Sequence, residues 1–289
     1  MSASLKKFEM IKPLFLILLL LLIRLENVYP QSVTTTIGAR SAAIGNASSI
    51  LSDEWSLLNN IGGLAKIKET YTAFTFDARP ALPGSSRMAA AFSTPLKIGV
   101  IGIGVFKFGD NLYSEQILTT GFSNKFGIAS LGIKLNYIQY RAEGFGTKNA
   151  LSISVGGIAD ITPQLSIGAY IQNLNQPKLN NGERVPTRLA VGLSFKPTEQ
   201  VLLVTEIEKD LLYDPIIKAG IEYSILKKVY ARTGFNLNPE TAFFGLGFKG
   251  WRLKFDYAIQ YNNSLNFSHQ ASACYRIDKI RKKAAKSNE

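Results

Sequence analysis

A single cysteine, Cys274, and a single histidine, His269, stand in a chain of 289 residues. One cysteine cannot form an intramolecular disulfide, and it supplies no thiolate cluster for zinc. One histidine excludes His-rich metal sites and leaves little room for Ser-His or Cys-His catalysis. Helical patterning is scarce as well: beyond Lys68 no amphipathic repeat lasts more than two turns. Charged residues make up only 19%, whereas Gly (24), Phe (17) and Tyr (12) are plentiful, a mixture that suits strands and tight turns.

Lys6, Lys7 and Lys12 precede the apolar run Leu14 to Ile23, which Arg24 and Glu26 end. A basic start with a short apolar core predicts a secretory signal peptide over 1–30, cleaved between Asn27 and Ser32. An uncleaved anchor is the alternative, although the run is shorter than the ~20 apolar residues a spanning helix needs. No cysteine stands at its end, which excludes lipoprotein anchoring. The net charge is +12; Lys6, Lys7, Lys12 and Arg24 against Glu9 and Glu26 leave about +10 after such a cut. The end, Arg276 to Glu289, holds six basic and two acidic residues. It reads as a solvated basic tail over 278–289 or as a contact with anionic lipid or saccharide. Nucleic acid is not expected as a partner of an exported chain.

From 67 to 277 the sequence alternates with period two between Gly, Pro, Asn and Asp punctuation. In "IIKAGIEYSI", Ile217, Ala219, Ile221, Tyr223 and Ile225 oppose Lys218, Gly220, Glu222 and Ser224. "RLAVGLSF" and "WRLKFDYAIQY" repeat the pattern. Fourteen strands are expected: 67–77, 85–95, 97–108, 112–125, 127–142, 149–161, 164–175, 185–196, 200–210, 215–226, 229–238, 241–249, 251–263 and 267–277. Gly245, Gly247 and Gly250 in "GLGFKG" fit G-x-G-x-x-G, but a dinucleotide loop needs a helix after it, and a strand follows here. These glycines read as close packing in a sheet.

Alternation fits both a soluble β-protein with an apolar core and a transmembrane barrel with a polar lumen. Three features favour the barrel. Charges sit well inside strands, among them Arg87 and Lys134. Aromatics lie near strand ends (Tyr71, Tyr113, Tyr137, Tyr213, Tyr223, Tyr230, Trp251, Tyr261), as interface girdles do. An exported chain with an even strand count can close without an edge. The expected fold is therefore all-β: a transmembrane antiparallel β-barrel of about 14 strands over 67–277, with a short N-terminal lumenal or plug segment over 31–66.

The stretch "IGARSAAIGNASSILSDEWSLLNNIGGLAKI", Ile37 to Ile67, resembles the opening of FadL-superfamily barrels, especially the PorV/PorQ family. That opening has a G-A-R segment, small residues with Gly, an acidic D-x-x-S/A-L and N-P-A-G-L-A. These fall on Gly38-Ala39-Arg40, Ala42 to Gly45, Asp53 to Leu57 and Asn60 to Ala65. Asn60 is followed by Ile61-Gly62 where the family has Pro-Ala. "PTRLAVGLSFKP", "VYARTGFN" and "SHQASACYRI" follow the family's strand order. The resemblance implies an outer-membrane barrel with its N-terminal segment tucked in or under the ring. It also implies an accessory part in protein secretion, as in PorV and PorQ, or passage of hydrophobic small molecules, as in FadL.

Candidate plug residues are Arg40, Asp53, Trp55, Asn59 and Asn60; the last three and Asp53 could instead cap a short helix packed in the barrel. Candidate lumen-lining residues are Arg188, Lys218, Glu222, Arg232, Arg252, Lys254 and Asp256. They select a solute or form a salt-bridge network, and either way a buried charge needs a partner. Glu206 and Glu208 share a strand face, yet no second catalytic group accompanies them, so no enzyme is expected. No cofactor is expected. The expected partners are outer-membrane lipid or lipopolysaccharide, secretion proteins or exported cargo, and a hydrophobic small molecule.

Overall fold

The computed structural model describes residues 36–179, 182–211, 213–263 and 266–277. The expected signal peptide and the basic tail lie outside the described residues. Fourteen strands follow in order: β1 (Thr70–Ala78), β2 (Arg87–Leu96), β3 (Gly99–Gly109), β4 (Tyr113–Phe126), β5 (Ala129–Ala142), β6 (Gly146–Asp160) and β7 (Leu165–Gln172). The second half comprises β8 (Arg188–Phe195), β9 (Val201–Asp210), β10 (Ile216–Ile225), β11 (Val229–Leu237), β12 (Thr241–Lys249), β13 (Leu253–Asn262) and β14 (Asn266–Ile277). Each pairs antiparallel with its sequence neighbours, and β1 pairs with β14 from Thr70↔Ile277 to Ala78↔His269, closing the ring.

The period of two now has a direction. On β10, Lys218 and Glu222 point inward and are 3% and 7% exposed, while Ile217 and Ile221 point outward at 45% and 46%. On β12, Phe244, Leu246 and Phe248 are outside and Gly245 and Gly247 inside. Large apolar side chains thus cover the exterior and the charges are enclosed. That inverts a soluble barrel and matches barrels that sit in lipid. No helix among the described residues is long and apolar enough to cross a membrane.

The two rims differ. At one, the turn end, the strands are joined by short turns at 97–98, 127–128, 161–164, 196–200, 226–228 and 250–252, and Thr70 and Ile277 lie there too. The loop end carries the longer connections, 79–86 and 173–187 among them.

Strand boundaries depart from the expected ones around β6 to β8. β6 starts at Gly146 instead of 149; β7 stops at Gln172 instead of 175, and β8 begins at Arg188 instead of 185. Asn173 (φ 58°) and Gln176 (φ 45°) are left-handed, and Pro177 and Pro186 have no N–H for a ladder. The connection instead stitches onto β6. Leu174 N–H donates to Ile153 O at 2.8 Å, and the Asn175 amide joins Ile153 N–H at 2.9 Å and Leu151 O at 3.0 Å. Tyr71 and Tyr230 are not outward girdle residues: both line an inner cavity at the turn end.

Residues 36–67 form an inner segment enclosed by the ring, with a short helix α1 (Ala39–Ala43) and a 3-10 turn η1 (Ile61–Lys66). The wall meets it with paired glycines: Gly102↔Gly121, Gly132↔Gly156, Gly168↔Gly192 and Gly220↔Gly234. A Cβ on Gly220 would lie 2.5 Å from Ile44 O, and one on Gly62 would lie 2.5 Å from the Gly157 Cα. Only a wall without side chains admits a backbone that close.

Candidate functional site

Two charge clusters and many hydrogen bonds fasten the inner segment. The first cluster alternates in sign along a chain of side chains. Glu54 Oε1 meets Lys254 Nζ at 2.8 Å, and Lys254 lies 3.5 Å from Asp256. Asp256 accepts from Arg232 Nη1 at 2.7 Å, and Arg232 Nε donates to Glu222 at 2.6 Å. Glu222 accepts from Arg40 Nε at 2.8 Å, and Arg40 reaches back to Asp53 at 3.2 Å. Burial opposes charge on Arg40, but Glu222 and Asp53 outweigh it, so its guanidinium holds its proton more tightly than a free one. Both ends of this chain are residues of the inner segment, and the middle is wall.

The second cluster centres on Glu206, which is 1% exposed. Its Oε2 accepts the backbone N–H groups of Ser48 (2.8 Å) and Ser49 (2.7 Å), and its Oε1 accepts from Lys218 at 2.8 Å. Lys218 also donates to Glu208 at 2.6 Å and to Asn46 O at 3.2 Å. Arg188 continues the cluster at the wall, 3.5 Å from Asp210.

Elsewhere Lys134 Nζ donates to Leu58 O (2.7 Å) and Asn59 O (2.9 Å), and Ala39 N–H donates to Ser272 Oγ at 2.8 Å. Asn59 exchanges two hydrogen bonds with the Ile37 backbone. Asn60 caps η1 by accepting from Gly62 N–H at 3.0 Å, and its amide nitrogen donates to Ser49 O (2.5 Å) and Gly157 O (3.0 Å). Trp55 is 1% exposed and lies over Gly38. Asn60→Ala is expected to loosen the segment by about 1 kcal/mol, read as a lower denaturant midpoint for the change in Trp55 emission.

Of the wall residues singled out in the sequence, Arg188, Lys218, Glu222, Arg232, Lys254 and Asp256 point inward. Arg252 lies in the β12–β13 turn, exposed at the rim, where it lines the turn-end cavity together with Lys254 and sets its guanidinium 4.4 Å from the Trp251 ring centroid.

The two sides of the inner segment differ. At the turn end a cavity of about 560 Å³ is lined by Arg40, Asp53, Glu54, Ile67, Tyr71 and Tyr230 among others. Toward the loop end the interior changes character. Phe106, Ile117, Ile138 and Ala150 stand side by side in register on β3, β4, β5 and β6, all inward and 3–8% exposed. Phe108 and Tyr140 pack with them from one step nearer the rim. Leu57 and Leu58 of the inner segment belong to the same cluster, as do Leu179 and Val185 of the 173–187 connection. The sequence reading did not single out this apolar row. Its signal is a local loss of alternation: Val105-Phe106, Ile117-Leu118, Tyr137-Ile138 and Ala150-Leu151 are apolar on both faces.

No family model and no curated protein matches the sequence. Among solved structures, the barrel is similar to the CymD monoaromatic hydrocarbon channel, with a TM-score of 0.67 at 12% identity over 86% of this chain and 100% of that one. It is similar to the Ralstonia pickettii toluene transporter TbuX, at 0.63 and 14% over 85% of this chain and 100% of that one. It is also similar to a Pseudomonas aeruginosa FadL homologue, at 0.60 and 10% over 86% of this chain and 98% of that one. The shared feature is the fold of outer-membrane FadL-type channels. None of the three is a PorV or PorQ protein, so that finer likeness rests on the Ile37–Ile67 segment and the strand order alone.

Proposed function

We propose that the chain is an outer-membrane channel for hydrophobic or amphipathic small molecules, with the inner segment as its plug. One observation carries the reading: Phe106, Ile117, Ile138 and Ala150 form a continuous apolar row, four inward side chains in register on neighbouring strands, toward the loop end of a barrel whose interior also encloses two charge clusters. Apolar side chains facing a lumen give up the lipid that would solvate them outside, and they suit an apolar guest. The row sits below the loop-end rim, under Leu179 and Val185, and runs down to Leu57 and Leu58 of the plug. A guest entering there displaces the connection first and meets the plug next. The similar solved structures named above, a hydrocarbon channel and a toluene transporter, support the same direction. The enclosed charges act as plug fasteners in this reading, and the barrel is no enzyme.

The PorV/PorQ resemblance carries a second reading, an accessory component of protein secretion that holds exported cargo. No structural neighbour named above adds to it, and the mostly short connections offer cargo little surface.

The test is binding of naphthalene to the purified barrel held in amphipol, followed by its fluorescence. Saturable binding is expected, weakened about tenfold or more by Ile138→Asp, which sets a charge in the apolar row. The variant barrel must still run faster unheated than boiled, which shows the ring intact. Non-saturable partitioning, equal in both proteins, would sink the proposal.

A further inference from the structure

The two rims carry different charge. At the loop end, exposed cations such as Lys107, Arg141 and Arg184 are matched by Asp110, Glu143 and Glu183. At the turn end, Lys97, Lys125, Lys196, Lys227, Lys228 and Lys249 are all exposed. Lys68 and Arg252 add to them, against Glu69 and Glu199 as the exposed carboxylates among the described residues there. Glu199 answers Lys227 at 3.4 Å, a pair exposed to more than four-fifths on both sides and therefore weak.

The cations do not gather on one side. Five of the six turns carry at least one in the turn or at the strand end beside it, and large apolar residues stand exposed among them. Ile98 (70%), Ile128 (62%), Leu226 (84%) and Trp251 (73%) occupy the tips of four turns. Trp251 has two guanidiniums near its ring, Arg252 at 4.4 Å and Arg276 at 6.0 Å from the centroid, and stands at the mouth of the turn-end cavity. A docked protein needs a contiguous patch. A ring in which an ammonium or guanidinium alternates with an aliphatic or indole tip fits a sheet of anionic headgroups over acyl chains.

We propose that the turn-end rim is a binding belt for anionic phospholipid, with the lysines on the headgroup phosphates and the turn tips in the acyl region. The proposal rests on the membrane-spanning part of the reading above and not on the identity of the transported molecule. In barrels of this kind the short turns face the periplasm, so the belt selects lipid from the inner leaflet.

Trp55 and Trp251 are the two tryptophans, and Trp55 is enclosed, so quenching by brominated lipid reports on Trp251. The full chain is reconstituted in vesicles of zwitterionic phosphatidylcholine holding a fixed fraction of phospholipid dibrominated near the headgroup, as either phosphatidylglycerol or phosphatidylcholine. Quenching by brominated phosphatidylglycerol is expected to indicate at least about threefold preferential occupancy at low salt, falling toward unity in 0.5 M NaCl, since each surface cation contributes to headgroup attraction. The variant Lys227→Gln/Lys228→Gln/Lys249→Gln, which leaves Trp251 and Arg252 in place, is expected to lose most of the preference. Equal quenching by both lipids overturns the belt while leaving the barrel in the bilayer, and it would turn attention to an acidic protein partner. Absence of quenching by either lipid also overturns the belt, since Trp251 would then face the turn-end cavity it borders and not lipid; loss of the unheated mobility difference in the same sample, by contrast, would overturn the barrel reading on which the belt rests.

Discussion

Glu206→Leu is expected to unseat the inner segment while leaving the ring closed. The substitution removes the acceptor of two backbone N–H groups, Ser48 and Ser49, and one of two carboxylates on Lys218. Both side chains of that ion pair are enclosed, Glu206 at 0% and Lys218 at 4% exposure. Removing one partner of a buried pair costs about 3–5 kcal/mol, and each orphaned backbone donor adds about 1–3 kcal/mol. Glu208 remains on Lys218 and holds the total toward the lower end. The fourteen-strand ladder does not depend on this carboxylate, so unheated gel mobility should be unchanged. In a Trp251→Phe background, Trp55 emission should move to the red as the indole meets water, and conductance across a planar bilayer should rise. Glu206→Gln keeps the acceptor oxygen but not the charge and should fall between. Wild-type emission and conductance in Glu206→Leu would show that the clusters on Glu222 and Lys134 suffice.

Gly220→Val is expected to have an effect as large by another route. A Cβ at 220 would stand 2.5 Å from Ile44 O and 2.7 Å from its carbonyl carbon, both backbone atoms that cannot rotate away. Forcing added carbons into a filled interior costs about 1–3 kcal/mol and more where backbone must shift. Gly234 faces the same turn of the inner segment from β11, so the displaced loop has no second place to go. Ala219→Val, one residue away but facing outward, is the control and should change nothing. The readout is again Trp55 emission with conductance. If both substitutions behave alike, the glycine pairs do not set the fit.

The sequence made the strands legible because their alternation is simple: a run such as Ile217 to Ile225 has one reading as a strand. Alternation alone does not say which face is inside, since period two is the same for both solutions; the charges within strands and the aromatic strand ends were what pointed to a polar lumen. The enclosed positions of Lys218, Glu222 and Arg232 decide that point. The partners of those charges were not legible, because Arg40 and Glu222 lie 182 residues apart in the chain. Glu206 was seen with Glu208 as a pair of carboxylates, but nothing local says that its partners are two amides of residues 48 and 49. The left-handed residues at 173 and 176 were missed because Gln172 and Asn173 sit between Ile171 and Leu174 with no glycine, and the first proline comes only at Pro177. The apolar row was written in four short double-apolar steps, each unremarkable on its own strand, and it exists as a surface only once β3 to β6 are in register.

The seam between β1 and β14 has a further consequence. The inner segment comes immediately before β1 in the chain, and the ring that surrounds it is sealed by the last strand. A finished cylinder would have to admit a threaded segment through a mouth crowded by its own connections. A sheet that curls while the segment already lies on its glycine pairs meets no such obstacle. In that order the segment is a mandrel as much as a stopper: Glu206 and Lys218 grip Ser48 and Ser49 on one side, Lys134 holds Leu58 and Asn59 on the other, and the curvature between them is set before the ends meet. The contacts that later close the lumen would then also be the tooling that gave it its bore.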